Sequence, residues 1–157
     1  MEKLDGIQLS GLDFKPMKMG DLLYHEGPLL SHFVDEENPS NHYFYKWSDS
    51  DDSSHRWMIF KVTERDLSDF FQHKTTLLDI IRRNAFVYFV DLKSDLATRQ
   101  VMLIATTNIP PKYLPLTGSG FDEKGYEDYA LELKGSISAY RSTLNRLRKE
   151  LVKKVAL

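Results

Sequence analysis

No cysteine occurs anywhere in the chain. That excludes disulfide staples, thiolate nucleophiles and every zinc site built on sulfur, so a metal would have to be held by histidine and carboxylate alone. A reducing compartment is compatible with the absence. Long apolar runs are lacking too: no stretch reaches the roughly 20 residues that cross a bilayer as a helix. The first sixteen residues, MEKLDGIQLSGLDFKP, have neither the basic nor the apolar region of a signal peptide. A soluble, cytoplasmic protein with no membrane association is the expectation. Also absent are the G-x-S-x-G nucleophile elbow and a glycine-rich loop set between a strand and a helix. Thr117-Gly118-Ser119-Gly120 is rich in glycine, but it precedes Phe121 and no helix start, so it reads as a loop. The sequence therefore assigns no catalytic residue, no metal ligand and no cofactor, and an enzyme is not the expectation.

What is present is a folded globule with an uneven charge. A chain of 157 residues, 41% hydrophobic and 12% aromatic, is large enough to bury one core and too apolar to be disordered. One domain over 1–157 is expected, with residues 1–16 as a loosely packed arm or poor edge strand. The net charge of −2 conceals a dipole. Residues 136–157 hold six Lys/Arg against the single acid Glu150, or +5, whereas the remaining residues hold 15 bases and 22 acids, or −7.

The centre of the pattern is RWMIFKVTERDLSDFFQHKTTLLDIIRR. Trp57 to Val62 is an apolar run of strand length, with Met58, Phe60 and Val62 on its better core face. Thr63 and Thr76 each stand three residues before an acid, Asp66 and Asp79, as helix caps do. The spacing predicts two short helices over about 64–83: Leu67, Phe70 and Phe71 form the stripe of the first, Leu77, Leu78, Ile80 and Ile81 that of the second.

Strands are expected at Met17–Tyr24, Leu29–Val34 and His42–Trp47, joined by turns too short for parallel crossovers, hence an antiparallel meander. Phe86–Leu92 and Gln100–Thr106 read as a further hairpin. Three prolines make 108–115 extended, and Tyr126–Leu133 reads as a last strand. The fold class is α+β: an antiparallel sheet of five to seven strands, two short helices on one side, and a C-terminal helix over about 136–154.

The order GDLLYHEGPLLSHF, YFYKW, then RWMIFKVTERDLSDFFQHKTTLLDII resembles a family of small bacterial domains with no assigned activity. A "DGPLLF"-like strand, a "W…RWL" hairpin and a "TLRDLI"-like helix carry the resemblance, and Tyr113-Leu114-Pro115 is similar to its "YLP" element. It covers roughly residues 20–120 and implies a bacterial source and no chemistry. His25 departs from the acid or tyrosine of that pattern.

Four constellations invite function. Asp49, Asp51, Asp52 and Ser53 suggest a calcium loop, but Ser54 and Phe60 occupy the positions that require glycine and glutamate, so a solvated hairpin loop is preferred. His25, His32 and His42, with Glu26, fall on neighbouring strands but lack ligand spacing. Tyr43, Tyr45, Trp47 and Trp57 form either a stacking platform for nucleic acid or cross-strand pairs under a covering element; the acidic body favours the latter. The fourth is the C-terminal segment, where Ile137, Tyr140, Leu144, Leu147 and Leu151 step by 3, 4, 3 and 4 as one apolar seam. Arg141, Arg146, Arg148, Lys149 and Lys153 flank it. These residues are the expected partner-binding set, the seam against protein (this domain or a second copy) and the bases against an acidic surface. A non-catalytic binding module is the expected function, with nucleic-acid binding as the alternative.

Overall fold

The computed structural model describes residues 6–24, 28–93 and 99–115. Among the described residues, seven strands run antiparallel in one sheet: β1 (Gly6–Leu9), β2 (Pro16–Tyr24), β3 (Pro28–Asp35), β4 (His42–Ser50), β5 (Ser54–Val62), β6 (Phe86–Lys93) and β7 (Arg99–Ala105). Two helices, α1 (Glu64–Phe71) and α2 (Leu77–Arg83), lie between β5 and β6 in the chain. The α+β class and the seven strands agree with the sequence expectation. The C-terminal helix and the strand expected at 126–133 lie outside the described residues.

Both helices begin where the threonines predict. Thr63 accepts from the Asp66 amide at 3.0 Å and Thr76 from the Asp79 amide at 3.2 Å, each satisfying a first-turn donor with no partner inside the helix. α1 ends at His73, which adopts φ 60°, while the Lys74 amide reaches back to the Asp69 carbonyl and the His73 amide to that of Phe70. This is a Schellman closure with histidine where glycine is usual. Asn84 ends α2 and its side chain pairs with both backbone groups of Lys61, extending the sheet by one residue's worth of hydrogen bonds.

The sheet order is β1-β7-β6-β5-β4-β3-β2, so β1 and β2, neighbours in the chain, are the opposite edges. The six residues between them, Ser10 to Lys15, span at most about 25 Å. A flat seven-stranded sheet is wider, about 29 Å between its outer strands. The sheet must therefore curl, and residues 10–15 cross its hollow face as a strap. Of the two readings of residues 1–16, Gly6–Leu9 form the edge strand, and residues 10–15 pack on the sheet. Phe14 is buried against Tyr43, Ile59, Val90 and Val101, with Leu12 and Leu9 beside it. Gly6 permits β1 to pair closely, since a Cβ there would lie 2.6 Å from Ile104 Cγ1 and 2.9 Å from the Leu103 carbonyl oxygen.

The helices cover the other face. Met58, Phe60 and Val62 on β5 join Phe44, Phe89 and Ile104 from the sheet and Phe70, Leu77, Ile80 and Ile81 from the helices in one cluster. Leu78 is buried as well. Ile59, on the opposite side of β5, is as fully buried as Met58, because the strap closes the face that Lys61 made look exposed. The segment expected to be extended over 108–115 instead makes two 3-10 turns, Thr106–Asn108 and Pro111–Tyr113. Proline at the first position of the second turn costs no hydrogen bond, and Ile109 and Tyr113 are carried into the core.

Candidate functional site

A polar network that joins four elements is built on a pair of facing side chains. Arg56 on β5 is registered opposite Asp91 on β6, on the helix face but toward the other end of these strands from the α1 start. Its Nε donates to Asp91 Oδ1 at 2.7 Å and its Nη2 to Oδ2 at 2.9 Å. That is the two-pronged geometry in which arginine binds carboxylate most strongly. Nη1 donates to the Tyr113 hydroxyl at 2.7 Å, and that hydroxyl donates to Asp49 Oδ2 at 3.3 Å. The guanidinium lies 5.4 Å from the Tyr113 ring centre and 5.8 Å from that of Phe89, while Lys112 Nζ stands 4.9 Å from the Tyr113 ring and 3.8 Å from Asp49.

Asp49 reaches this network because β4 bulges between Trp47 and Asp49. Strict alternation from Tyr43, Tyr45 and Trp47 places Asp49 with the aromatics on the strap face. The extra residue turns it to the helix face, opposite Arg56. Beyond it the expected acidic loop shrinks to Asp51–Ser53, since β4 runs to Ser50 and β5 starts at Ser54. Asp51 Oδ1 accepts from the amides and hydroxyls of Ser53 and Ser54, and these bonds hold its carboxyl down at about 2. The aspartate therefore shapes the turn.

Asp49, Asp51, Ser54, Arg56, Asp91 and Tyr113 surround an open cavity of about 360 Å³. The Asp91 hydrogen bonds push the Arg56 pKa further up, and burial raises that of Tyr113 against the opposing pull of Arg56. Both side chains therefore keep their protons at neutral pH and serve as donors. With all three guanidinium nitrogens and both Asp91 oxygens engaged, the arrangement is a brace that ties β4, β5, β6 and the 111–113 turn together.

The histidines are only partly united. His32 on β3 and His42 on β4 are both buried and hydrogen-bonded, Nε2 to Nδ1, at 2.9 Å. His42 Nε2 lies 3.8 Å from Glu64 Oε1 at the start of α1. Burial, and then the neighbouring His42, lowers the His32 pKa to about 3. At neutral pH one ring donates and the other accepts. His25 lies outside the described residues, and among those described no three His, Asp or Glu side chains converge as a metal site.

The strap covers part of the aromatic face. Phe14 of the strap stacks on Tyr43 at 3.8 Å and tilts against Tyr88 at 6.2 Å; Phe33 stacks on Tyr45 at 3.9 Å. Burial pushes the Tyr43 phenol up to about 12 and raises those of Tyr45 and Tyr88; a hydrogen bond with Asp13 of the strap adds to the Tyr88 shift. Trp47 and Trp57 face one another across β4 and β5, half-buried.

The expected partner-binding residues Tyr140, Arg141, Leu144, Arg146, Leu147, Arg148, Lys149, Leu151 and Lys153 all lie outside the described residues. Sequence reasoning missed the Arg56–Asp91–Tyr113–Asp49 network. Its members are far apart in the chain, Tyr113 standing 57 positions after Arg56, and no local spacing marks them. No helix among the described residues is long and apolar enough to cross a membrane. Comparison with protein-family models, with curated proteins and with solved structures finds no significant match.

Proposed function

We propose that this protein is a non-catalytic binding module of the bacterial cytoplasm that works by associating with another protein. An antitoxin, an immunity protein and an accessory subunit of a defence or effector system are the jobs that fit. The observation that carries the reading is the separation of charge along the chain. A segment of +5 beside a remainder of −7 steers association with a surface of complementary charge. The partner surface is acidic, and Arg141, Arg146, Arg148, Lys149 and Lys153 contact it. Each exposed ion pair contributes only about 0.2–1 kcal/mol, so no single base dominates.

The experiment is to isolate the protein that the full chain captures in its host and to measure association rates with the purified pair at low and high salt. Reversal of Arg148→Glu with Lys149→Glu is expected to leave the melting temperature in place and to slow association, most at low salt. Association that the reversal leaves unchanged would sink the reading. So would binding to DNA or RNA whose salt dependence is steeper than that of any protein partner, which would restore the nucleic-acid alternative.

A further inference from the structure

Two large apolar side chains among the described residues are exposed, Ile7 at 66% and Phe86 at 55%. They belong to one patch. Ile7 on β1 is registered against Leu103 on β7, and Leu103 against Tyr88 on β6; Phe86, two residues before Tyr88, is registered against Ala105. Alternation therefore puts Ile7, Phe86, Tyr88, Leu103 and Ala105 on the strap face, and Leu103 and Ala105 are themselves only half-buried. The patch occupies three adjacent strands at the β1 edge, about 10 Å across. The strap covers only its Tyr88 side: Phe14 packs against Tyr43 and Tyr88, with Ile59, Val90 and Val101 in the same cluster, and neither Ile7 nor Phe86 belongs to it. Exposed apolar side chains grouped on adjacent strands offer a surface that a second apolar element can cover.

The chain itself contains a cover. Forty-two residues follow Pro115, the last one described, and residues 137–151 carry the seam of Ile137, Tyr140, Leu144, Leu147 and Leu151. We propose that this seam packs on the Ile7–Leu103–Phe86 patch of its own domain, and so turns the flanking bases outward. As a helix, Tyr140 to Leu147 rises about 10 Å, the width of the patch. The twenty residues between Pro115 and Ser136 reach about 65 Å when extended, well beyond the dimensions of the domain. An intramolecular seam also needs no partner concentration, since tethering in one chain supplies an effective concentration of about millimolar order. The outward display of Arg141 and Arg148 rests on the partner reading above; the docking does not.

The absence of cysteine makes the test clean. In the full chain, Phe86→Cys is combined in turn with Tyr140→Cys, Leu144→Cys and Leu147→Cys, and disulfide formation is followed on non-reducing gels. Gln72→Cys, exposed at the end of α1, replaces Phe86→Cys in the controls. At least one seam pair is expected to cross-link within the monomer tenfold or more faster than its control. In parallel, Ile7→Asp with Phe86→Asp is expected to raise amide exchange in 137–151 at least tenfold while exchange in β5 is unchanged, because both side chains lie outside the core. Cross-linking no faster than the controls, or only between two chains, overturns the proposal, as does exchange in 137–151 that ignores the double substitution. Failure there leaves the charge-reversal experiment to judge the partner reading independently.

Discussion

Phe14 and Tyr43 lie face to face, their ring centres 3.8 Å apart and their planes within 3°. One ring belongs to a six-residue connection, the other to a central strand, and the contact exists only because that connection crosses the curled sheet. Parallel rings in close register gain little from their quadrupoles, so the contact stabilises mainly by burying both faces. With Phe14 on it, this part of the aromatic face is interior.

If the strap closes the hollow face, Phe14→Ala should cost about 3 kcal/mol, the lower end for a buried phenylalanine. Urea unfolding of the purified variant measures it. A loss below about 1 kcal/mol, the range of surface positions, would show that the strap rests on the sheet without holding it.

The Arg56–Asp91 pair is about four-fifths buried on each side. Asp91→Ala should therefore cost about 1.5–3 kcal/mol, because it leaves a partly desolvated guanidinium short of its acceptor. Replacing both partners together, Arg56→Met with Asp91→Leu, should return to within about 1 kcal/mol of the parent, since no charge is then stranded. Chemical denaturation of the three variants checks this. Equal losses for the single and double replacements would mean that the brace stabilises by more than avoiding an unpaired charge.

The histidine pair predicts a pH dependence of definite sign. In the unfolded chain His32 takes up a proton near pH 6.5, whereas in the fold it stays neutral down to about 3. The unfolded state thus binds more protons across that window, and stability is full above it and lost as pH falls. The limiting slope is about 1.4 kcal/mol per pH unit for one proton. Urea midpoints between pH 7.5 and 5, above most carboxylate titrations, should fall in the parent and stay level in His32→Leu with His42→Leu. Parallel slopes in the two proteins would show that the pair carries no such linkage.

His73 holds a left-handed backbone, φ 60°, at the end of α1. A side chain is disfavoured there and glycine is not. His73→Gly should raise stability by about 0.5–1 kcal/mol, less than the full conformational gain because glycine also loosens the unfolded chain. Thermal melts of the two proteins decide it; a lower melting temperature would mean that the imidazole does more for the fold than its backbone costs.

Local pattern determined much of this protein. The caps at Thr63 and Thr76, the stripes of α1 and α2, and the Met58–Phe60–Val62 face follow from interactions within a few residues, which a sequence displays directly. The absence of thiol chemistry, the +5 of residues 136–157 and their seam are likewise properties of the chain alone. Only the tertiary structure decided the rest. That β1 and β2 become opposite edges, and that Phe14 is therefore core, depends on which strands pair, and pairing is decided by burial summed over the whole sheet. Asp49 joins Arg56 through one extra residue in β4, a shift that reverses its face and that no composition announces. Arg56, Asp91 and Tyr113 meet because three distant segments reach one end of the sheet, and His32 meets His42 because β3 and β4 pair in one register. Such contacts carry no spacing in the sequence, since the distance that matters to them is measured through space.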